Sequence, residues 1–146
     1  MTKKTVIIGT VGTGDPHFVA VSFLGRILSD AGFKVVNLGC SCSTEEFIKA
    51  AIETNADAIL MSSLLGYAES DLRGYRDMLV EAGLDGIVSY IGGNLAIGVR
   101  TPEEAKKNFQ ELGFTRVYPG VTDFDQVVRD LNQDLATNIV AATSGM

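Results

Sequence analysis

The sequence predicts an α/β domain built on a doubly wound parallel sheet. Short apolar runs alternate along the chain with segments that have helical spacing. The apolar runs are almost continuous, which is typical of parallel strands buried on both faces. The chain has 146 residues, the length of one domain. We therefore expect a single layer of parallel strands covered by helices on both sides.

Five strands are predicted, each from a short run of apolar residues. The crossovers between them are expected to be right-handed, and we predict the strand order 2-1-3-4-5, the flavodoxin-like arrangement. The ligand crevice of such a sheet lies beyond the carboxyl ends of the strands, between the first and third strands, where the strand order reverses. The predicted strands cover residues 5–9, 34–38, 58–61, 87–91 and 116–118.

Five helices are predicted over residues 18–31, 44–54, 69–82, 102–112 and 123–135. Ser43 or Thr44 can cap the second helix, because an oxygen there accepts hydrogen bonds from the first helical amides. Thr101 precedes Pro102, which is typical of a capped helix with proline at its first position. Glycine follows three of the helix ends, at positions 32, 83 and 113.

These segments predict one domain over residues 1–136 and a C-terminal tail over residues 137–146. The tail fits either a loose segment or a docking segment. Cys40 and Cys42 are separated by one residue, which is not the Cys-x-x-Cys spacing of redox and zinc sites. We therefore expect reduced thiols, to which we assign no function.

Charge and hydrophobicity exclude several classes of protein. The net charge is -6, whereas nucleic-acid sites need clustered lysine and arginine. No stretch approaches the roughly 20 apolar residues of a membrane span, and the first residues lead into a strand rather than a signal-peptide core. We expect a cytoplasmic protein that binds neither nucleic acid nor membranes.

Small and polar residues follow the first, third and fourth strands, at the edge where the crevice is expected. His17, the only histidine, stands two residues after Asp15. A neutral imidazole oriented by a carboxylate commonly presents a nitrogen atom to a transition metal. Ser62 follows the third strand, and Gly92 and Gly93 follow the fourth, where the missing Cβ atoms let a bulky ligand approach. Lone histidines, strand-end serines and glycine pairs also have ordinary structural roles, so each feature alone leaves both interpretations open.

Three of these motifs, in this order, resemble the cobalamin-binding motif of B12 proteins that bind the cofactor base-off and His-on. The motifs are Asp15-x-His17, Ser62-x-Leu64 and Gly92-Gly93. On a five-stranded chain, they are similar to the Rossmann-like B12-binding domain of the small subunit of glutamate mutase (methylaspartate mutase). The similarity extends over nearly the whole length, including residues 31–39, 45–54, 61–64 and 92–94.

The resemblance implies that His17 is the lower axial ligand of cobalt, in place of the dimethylbenzimidazole of the cofactor. Asp15 would form a hydrogen bond with the other ring nitrogen. Pro16 between them favours an extended backbone at Asp15. The displaced nucleotide tail would enter the crevice between the strands.

The same resemblance implies a set of residues around that tail. Ser62 would form a hydrogen bond near the benzimidazole, and Leu64 would pack beside the corrin or the tail. Gly92 and Gly93 would leave space for the nucleotide. The remaining residues implied to bind the cofactor are Asn94, Tyr118 and Thr122.

The implied activity is the reversible rearrangement of glutamate to 3-methylaspartate, started by homolysis of the Co–C bond of adenosylcobalamin. This chain would be the cofactor-binding subunit of that isomerase, with no catalytic residue beyond cofactor ligation and no activity alone. A larger barrel subunit would bind the substrate in a hetero-oligomer. The 146 residues of this chain are too few for such a barrel, which typically needs about 250.

Three positions depart from the pattern of the family. Ala20 stands where the motif continues with glycine, and Leu65 stands where an aromatic residue is frequent. The segment over residues 118–122 includes Gly120 and Val121 and differs from the usual Pro-Gly-Thr arrangement. The methyl group of Ala20 either crowds the ligand or shifts the start of the helix, whereas the other two changes lie near the expected tail site rather than at the cobalt ligand.

Other functions fit the same fold class. A flavodoxin-like electron carrier has a Thr- and Gly-rich loop after its first strand, but this chain has no tryptophan to stack on a flavin. A corrinoid methyl carrier is a further alternative. A phosphoacceptor signalling module needs an acidic residue at the end of the third strand, where this chain has Ser62.

Overall fold

The computed structural model describes residues 3–11, 19–63, 72–93, 101–119 and 123–144. Within them, five parallel strands form one sheet with the order β2-β1-β3-β4-β5, which confirms the predicted order. The strands are β1 (Thr5–Thr10), β2 (Lys34–Asn37), β3 (Ala58–Ser63), β4 (Val88–Gly93) and β5 (Arg116–Pro119).

Helices cover both faces of the sheet, as predicted. They are α1 (Val19–Asp30), α2 (Thr44–Thr54), α3 (Tyr75–Glu81), α4 (Pro102–Leu112) and α5 (Phe124–Ser144). The apolar side chains of α1 and α5 pack on one face, and those of α2, α3 and α4 pack on the other. Among the described helices, none combines the length and the apolar character that a membrane span requires.

The strands alternate their side chains between two separate cores. Val6 and Ile8 of β1 face α1 and α5, whereas Ile7 faces α2 and its neighbours. All three side chains are fully buried. Both faces of the central strand are therefore dry, which explains why the strands read as continuous apolar runs.

Four strands run further than predicted, and β2 ends one residue earlier, at Asn37. β5 extends to Pro119, and the other three extend through residues that are polar or lack a side chain. The predicted ends were Gly9, Met61 and Ile91, whereas the strands end at Thr10, Ser63 and Gly93. The backbone ladder continues there because its hydrogen bonds do not depend on apolar side chains. The predicted loop residues at this edge are thus held in the sheet.

Three helices differ from their predicted bounds. α1 ends at Asp30 rather than at residue 31. The third helix starts at Tyr75 rather than at residue 69, and it follows Gly74, whose φ is 81°. Residues 69–71 lie outside the described part of the chain. α5 continues to Ser144 rather than ending at Leu135, since the next glycine or proline in the sequence is Gly145. It crosses the predicted boundary between residues 136 and 137, and that division of the chain stays a prediction.

The predicted helix caps are confirmed. The Ser43 hydroxyl accepts a hydrogen bond from the Glu46 amide at 3.2 Å, and a Glu46 carboxylate oxygen accepts one from the Ser43 amide at 3.3 Å. Together they form a capping box at the start of α2. Thr101 caps α4 in the same way, through the Glu104 amide at 3.2 Å. The glycines after the helix ends have positive φ, at 100° for Gly32, 74° for Gly83 and 122° for Gly113.

We expect Ser43→Ala to lower the free energy of unfolding by about 1 kcal/mol, because the substitution removes the oxygen that caps α2. Urea denaturation followed by circular dichroism measures the change. Lys49→Ala, at an exposed position of the same helix, should change stability by less than about 0.5 kcal/mol. Equal effects of the two substitutions would show that the cap does not stabilise α2.

Candidate cobalamin site

A row of residues crosses four strands at the carboxyl edge of the sheet. Thr10 of β1 is in register with Ser62 of β3, Ser62 with Gly92 of β4, and Gly92 with Tyr118 of β5. Thr10 is fully buried, whereas Ser62, Gly92 and Tyr118 are half-buried. The sheet therefore brings together three of the predicted site residues, although the first and last of them, Ser62 and Tyr118, are 56 positions apart in the sequence.

The row lies on the face covered by α1 and α5. Side chains alternate along a strand, and Ile8, Leu60 and Tyr90, two positions earlier on their strands, belong to the core on that face. Three of the four positions carry a small side chain or none, and Tyr118 stands at the end of the row. The edge is thus lined by small groups next to one large aromatic ring.

The end of β1 is held by backbone hydrogen bonds on both sides. The Val11 amide donates to the Ser62 carbonyl at 2.9 Å, and the Cys42 amide donates to the Thr10 carbonyl at 2.9 Å. Residues 12–18 follow directly, and they include Asp15 and His17. The segment that carries the predicted cobalt ligand therefore starts from a fixed point beside Ser62.

Gly93 is required by the backbone itself. Its φ is 111°, and a Cβ atom there would lie 2.1 Å from the carbonyl oxygen of Ser63. No side chain fits at this distance. The strands β3 and β4 can approach each other here because position 93 is glycine, and the predicted role of Gly93 beside the cofactor stays a prediction.

A buried polar network joins the row to α5. The Tyr118 hydroxyl donates to Asp130 at 2.7 Å, and the Gln126 side-chain amide donates to the other oxygen of Asp130 at 2.8 Å. Arg116 lies 3.7 Å from the same carboxylate. Asp130 is only 8% exposed. A buried carboxylate needs such partners, since desolvation without them is unfavourable.

One helical turn later, Asp134 repeats this arrangement. Its carboxylate accepts two hydrogen bonds from Arg116, at 2.7 and 3.0 Å, and one from the Tyr90 hydroxyl. The Arg116 guanidinium holds the pKa of Asp134 below its usual value. The pKa of Tyr90 and that of Tyr118 are raised, mainly by burial and to a smaller extent by the hydrogen bond to the adjacent aspartate. Both hydroxyls therefore stay protonated and act as donors.

The sequence matches the model of one protein family over a range that includes this edge of the sheet. The family model described as B12 binding domain matches residues 5–106, which is more than half of the chain. The chain belongs to the B12-binding domain family. The match starts at the first residue of β1 and extends through β4 into α4, so it includes the ends of β1, β3 and β4.

Curated relatives of this B12-binding domain are similar to it over about nine-tenths of the chain. It is 48% identical over 132 residues to glutamate mutase sigma subunit 2 of Haloarcula marismortui, covering 90% of this chain and 88% of the relative. It is 45% identical to the glutamate mutase sigma subunit of Clostridium cochlearium, covering 92% and 98%. The resemblance to the small subunit of glutamate mutase is thereby confirmed.

Solved structures with the same fold include a cobalamin-binding protein from Desulfitobacterium hafniense, with a TM-score of 0.71 and 22% identity. The alignment covers 90% of this chain and 58% of that one. The NtrC4 receiver domain is also similar, with a TM-score of 0.64, 13% identity and coverage of 92% and 98%. At these identities the likeness shows the flavodoxin-like fold alone.

Several predicted site residues of the B12-binding domain lie outside the described residues. They are Asp15, His17, Leu64, Asn94 and Thr122, together with the departures at Leu65, Gly120 and Val121. Ala20 belongs to the first turn of α1. Within the described residues, no group of three histidine, cysteine or acidic side chains could hold a metal ion.

The two cysteines are free, as predicted. Cys40 is exposed, whereas Cys42 is buried beside the end of β1. The pKa of the Cys42 thiol is raised to about 11, mainly by burial and to a smaller extent by the negative charge of the nearby Glu46. The thiolate is the reactive form of cysteine, so this thiol is a poor nucleophile at neutral pH.

Sequence reasoning did not identify Thr10 or the network on α5. Thr10 is a buried polar residue at the end of an apolar strand, and that break in the pattern was the available signal. On α5, Asp130 and Asp134 are spaced like the apolar Val127 and Leu131, so they share the inward face of the helix. Two acidic residues on an apolar helix face indicate buried hydrogen-bond partners.

Gly93→Ala should destabilise the domain by about 1–3 kcal/mol or more, because alanine is strained at this φ and its Cβ would collide with Ser63. Gly86→Ala is the matched control. A Cβ at Gly86 meets nothing within 4 Å, so we expect a change below about 1 kcal/mol. Thermal unfolding of both variants tests this, and equal stability of Gly93→Ala and wild type would contradict it.

The Arg116–Asp134 pair predicts a pH dependence of stability. The pKa of Asp134 is lower in the folded state than its ordinary value of 3.8. Its contribution is therefore complete above about pH 4 and is lost as the pH falls through the lower, folded pKa. Asp134→Asn should lower the free energy of unfolding by about 1–3 kcal/mol at neutral pH.

The difference between wild type and Asp134→Asn should narrow as the pH is lowered from 4, which urea titrations at several pH values would measure. Glu111→Gln removes one exposed carboxylate of α4 as the control, and we expect an effect below about 0.5 kcal/mol. A difference that stays constant across the acid range would show that Asp134 is not stabilised by Arg116.

Proposed function

We propose that this chain is the cobalamin-binding subunit of an adenosylcobalamin-dependent carbon-skeleton mutase, which interconverts glutamate and 3-methylaspartate. The observation that carries the proposal is the similarity to glutamate mutase sigma subunits over nine-tenths of the chain. The subunit belongs to an isomerase and acts only together with a catalytic partner. We assign it to the cytoplasm.

The described edge fits the flat nucleotide tail of cobalamin. Thr10, Ser62 and Gly92 place small groups along one face of the sheet at the end where doubly wound proteins bind ligands. Gly93 lets the neighbouring strands approach closely at the same edge. Ser62 is half-buried, so its hydroxyl can donate or accept a hydrogen bond within a largely dry site.

His17 holds the cobalt of the cofactor in this proposal, and Asp15 orients its ring. A carboxylate that accepts a hydrogen bond from one imidazole nitrogen fixes the tautomer and makes the other nitrogen a better ligand. Leu64, Asn94, Tyr118 and Thr122 complete the set of residues around the cofactor. Adenosylcobalamin, when bound, supplies the radical that starts the rearrangement, while the protein supplies binding and orientation.

The substrate is bound by a larger barrel subunit, with which this chain forms a hetero-oligomer. The carboxyl edge of the sheet is the surface that must face this partner, because the cofactor bound there has to reach the substrate. Enclosure between two subunits excludes water from the reacting groups. The electron-carrier and methyl-carrier alternatives are not favoured, since the curated relatives are named as sigma subunits of glutamate mutase.

The test is electron paramagnetic resonance of cob(II)alamin mixed with concentrated protein that carries ¹⁵N-labelled histidine. The chain has one histidine, so the label reports on His17 alone. We expect the superhyperfine splitting to change from a triplet with ¹⁴N to a doublet with ¹⁵N. In His17→Ala, the ¹⁵N doublet should be replaced by the ¹⁴N triplet of the cofactor's own dimethylbenzimidazole, which is no longer displaced.

Asp15→Asn is the graded variant for the same experiment. It should weaken cofactor binding by about 10- to 100-fold, as substitutions of groups that orient metal ligands commonly do. A spectrum that does not respond to the label, or that is unchanged in His17→Ala, would exclude His17 as the cobalt ligand. Binding of a flavin instead of cobalamin would favour the electron carrier.

A further inference from the structure

Two tyrosine–aspartate pairs, one helical turn apart, attach α5 to the sheet. The Tyr118 hydroxyl donates to Asp130, and the Tyr90 hydroxyl donates to Asp134. Their rings are adjacent, with centroids 5.6 Å apart in an edge-to-face arrangement. The pairs have the same chemistry, so their different positions in the sheet must decide what each one does.

The two tyrosines differ in their access to the carboxyl edge. Tyr118 is in register with Gly92 and is half-buried. Tyr90 lies two residues before Gly92 on the same strand, in register with Leu60, and is 2% exposed. Tyr118 therefore borders the row of small residues at the candidate site, whereas Tyr90 lies within the core below it.

Asp130 is itself held in place by three groups. Besides the Tyr118 hydroxyl, one oxygen accepts from Gln126 at 2.8 Å, and Arg116 lies 3.7 Å away. The carboxylate is almost fully buried between α5 and β5. It provides a fixed acceptor, and the phenol bonded to it cannot rotate away without losing that hydrogen bond.

The hydrogen bond decides which part of Tyr118 is offered to a ligand. Its hydroxyl is engaged on the side of α5, so the ring is the part that borders Gly92. An aromatic ring beside a position without a side chain suits a flat heteroaromatic group, because rings attract each other in offset or edge-to-face arrangements.

We propose that Asp130 is a positioning residue for the cofactor, which fixes the Tyr118 ring as the side wall of the cobalamin site against the nucleotide tail. The inference rests on the proposed function. Asp130 does not touch the cofactor, and it acts by immobilising Tyr118 before binding. Because the ring is already ordered in the free protein, binding does not have to restrict its rotation. Tyr90 and Asp134 only anchor the helix.

The experiment compares Tyr118→Phe with Tyr90→Phe, which each remove one hydroxyl and keep the ring. The measurements are the dissociation constant for adenosylcobalamin, by equilibrium dialysis of the full chain, and the midpoint of thermal unfolding. Tyr118→Phe should weaken binding by about 3- to 10-fold, the effect of releasing one immobilised side chain. Tyr90→Phe should bind within about 2-fold of wild type, although it removes an equivalent hydrogen bond.

Asp130→Ala tests whether the aspartate acts through Tyr118. It should weaken binding as much as Tyr118→Phe does, and the double variant should lose no more than either single variant. Asp130→Asn keeps an oxygen acceptor and should restore most of the affinity. Should Asp130→Ala fail to fold, the comparison of the two phenylalanine variants still decides the proposal.

Each other outcome contradicts the inference. Wild-type affinity in Tyr118→Phe, or an equal loss in Tyr90→Phe, would reduce the network to an anchor for α5. Additive losses in the double variant would remove the coupling between Asp130 and Tyr118. If wild type itself did not bind adenosylcobalamin, the proposed function would fail together with the inference, which distinguishes that case from the failure of the inference alone.

Discussion

The backbone ladder at the carboxyl edge is the constraint on which the other features depend. Parallel strands β1, β3, β4 and β5 bring Thr10, Ser62, Gly92 and Tyr118 into one row through hydrogen bonds of the main chain. The row is therefore held in register even though its side chains are small, because backbone pairing requires no side-chain contact. The close approach at Gly93 belongs to the same ladder.

The polar network on α5 is the second organising feature. A helix that packed only through Val127, Leu131 and Leu135 could shift along an apolar sheet with little change in contact area. The hydrogen bonds from the sheet to Asp130 and Asp134 form at only one position of the helix along the sheet. At any other position each carboxylate would be buried without partners. The network thus defines where the helix lies beside the candidate site.

The fold itself permits several functions, and the residues at the edge distinguish them. The receiver domain of NtrC4 has the same fold at a TM-score of 0.64. A phosphoacceptor of that type needs an acidic side chain at the end of β3, where this chain has Ser62 and Ser63. Asp57 directly precedes β3 and therefore lies at the opposite edge of the sheet, where its carboxylate accepts a hydrogen bond from the Thr5 amide at 2.8 Å.

Local pattern alone determined the alternation of strands and helices, their order, and caps such as Ser43, because apolar periodicity and end signals are properties of neighbouring residues. The same sequence carried the motif around His17 and Ser62 from which the family was inferred. The tertiary structure decided where the strands end, that Thr10 joins the row, and that Asp130 meets Tyr118. Those features depend on hydrogen bonds between segments that the chain brings together only when it folds, so no local pattern specifies them.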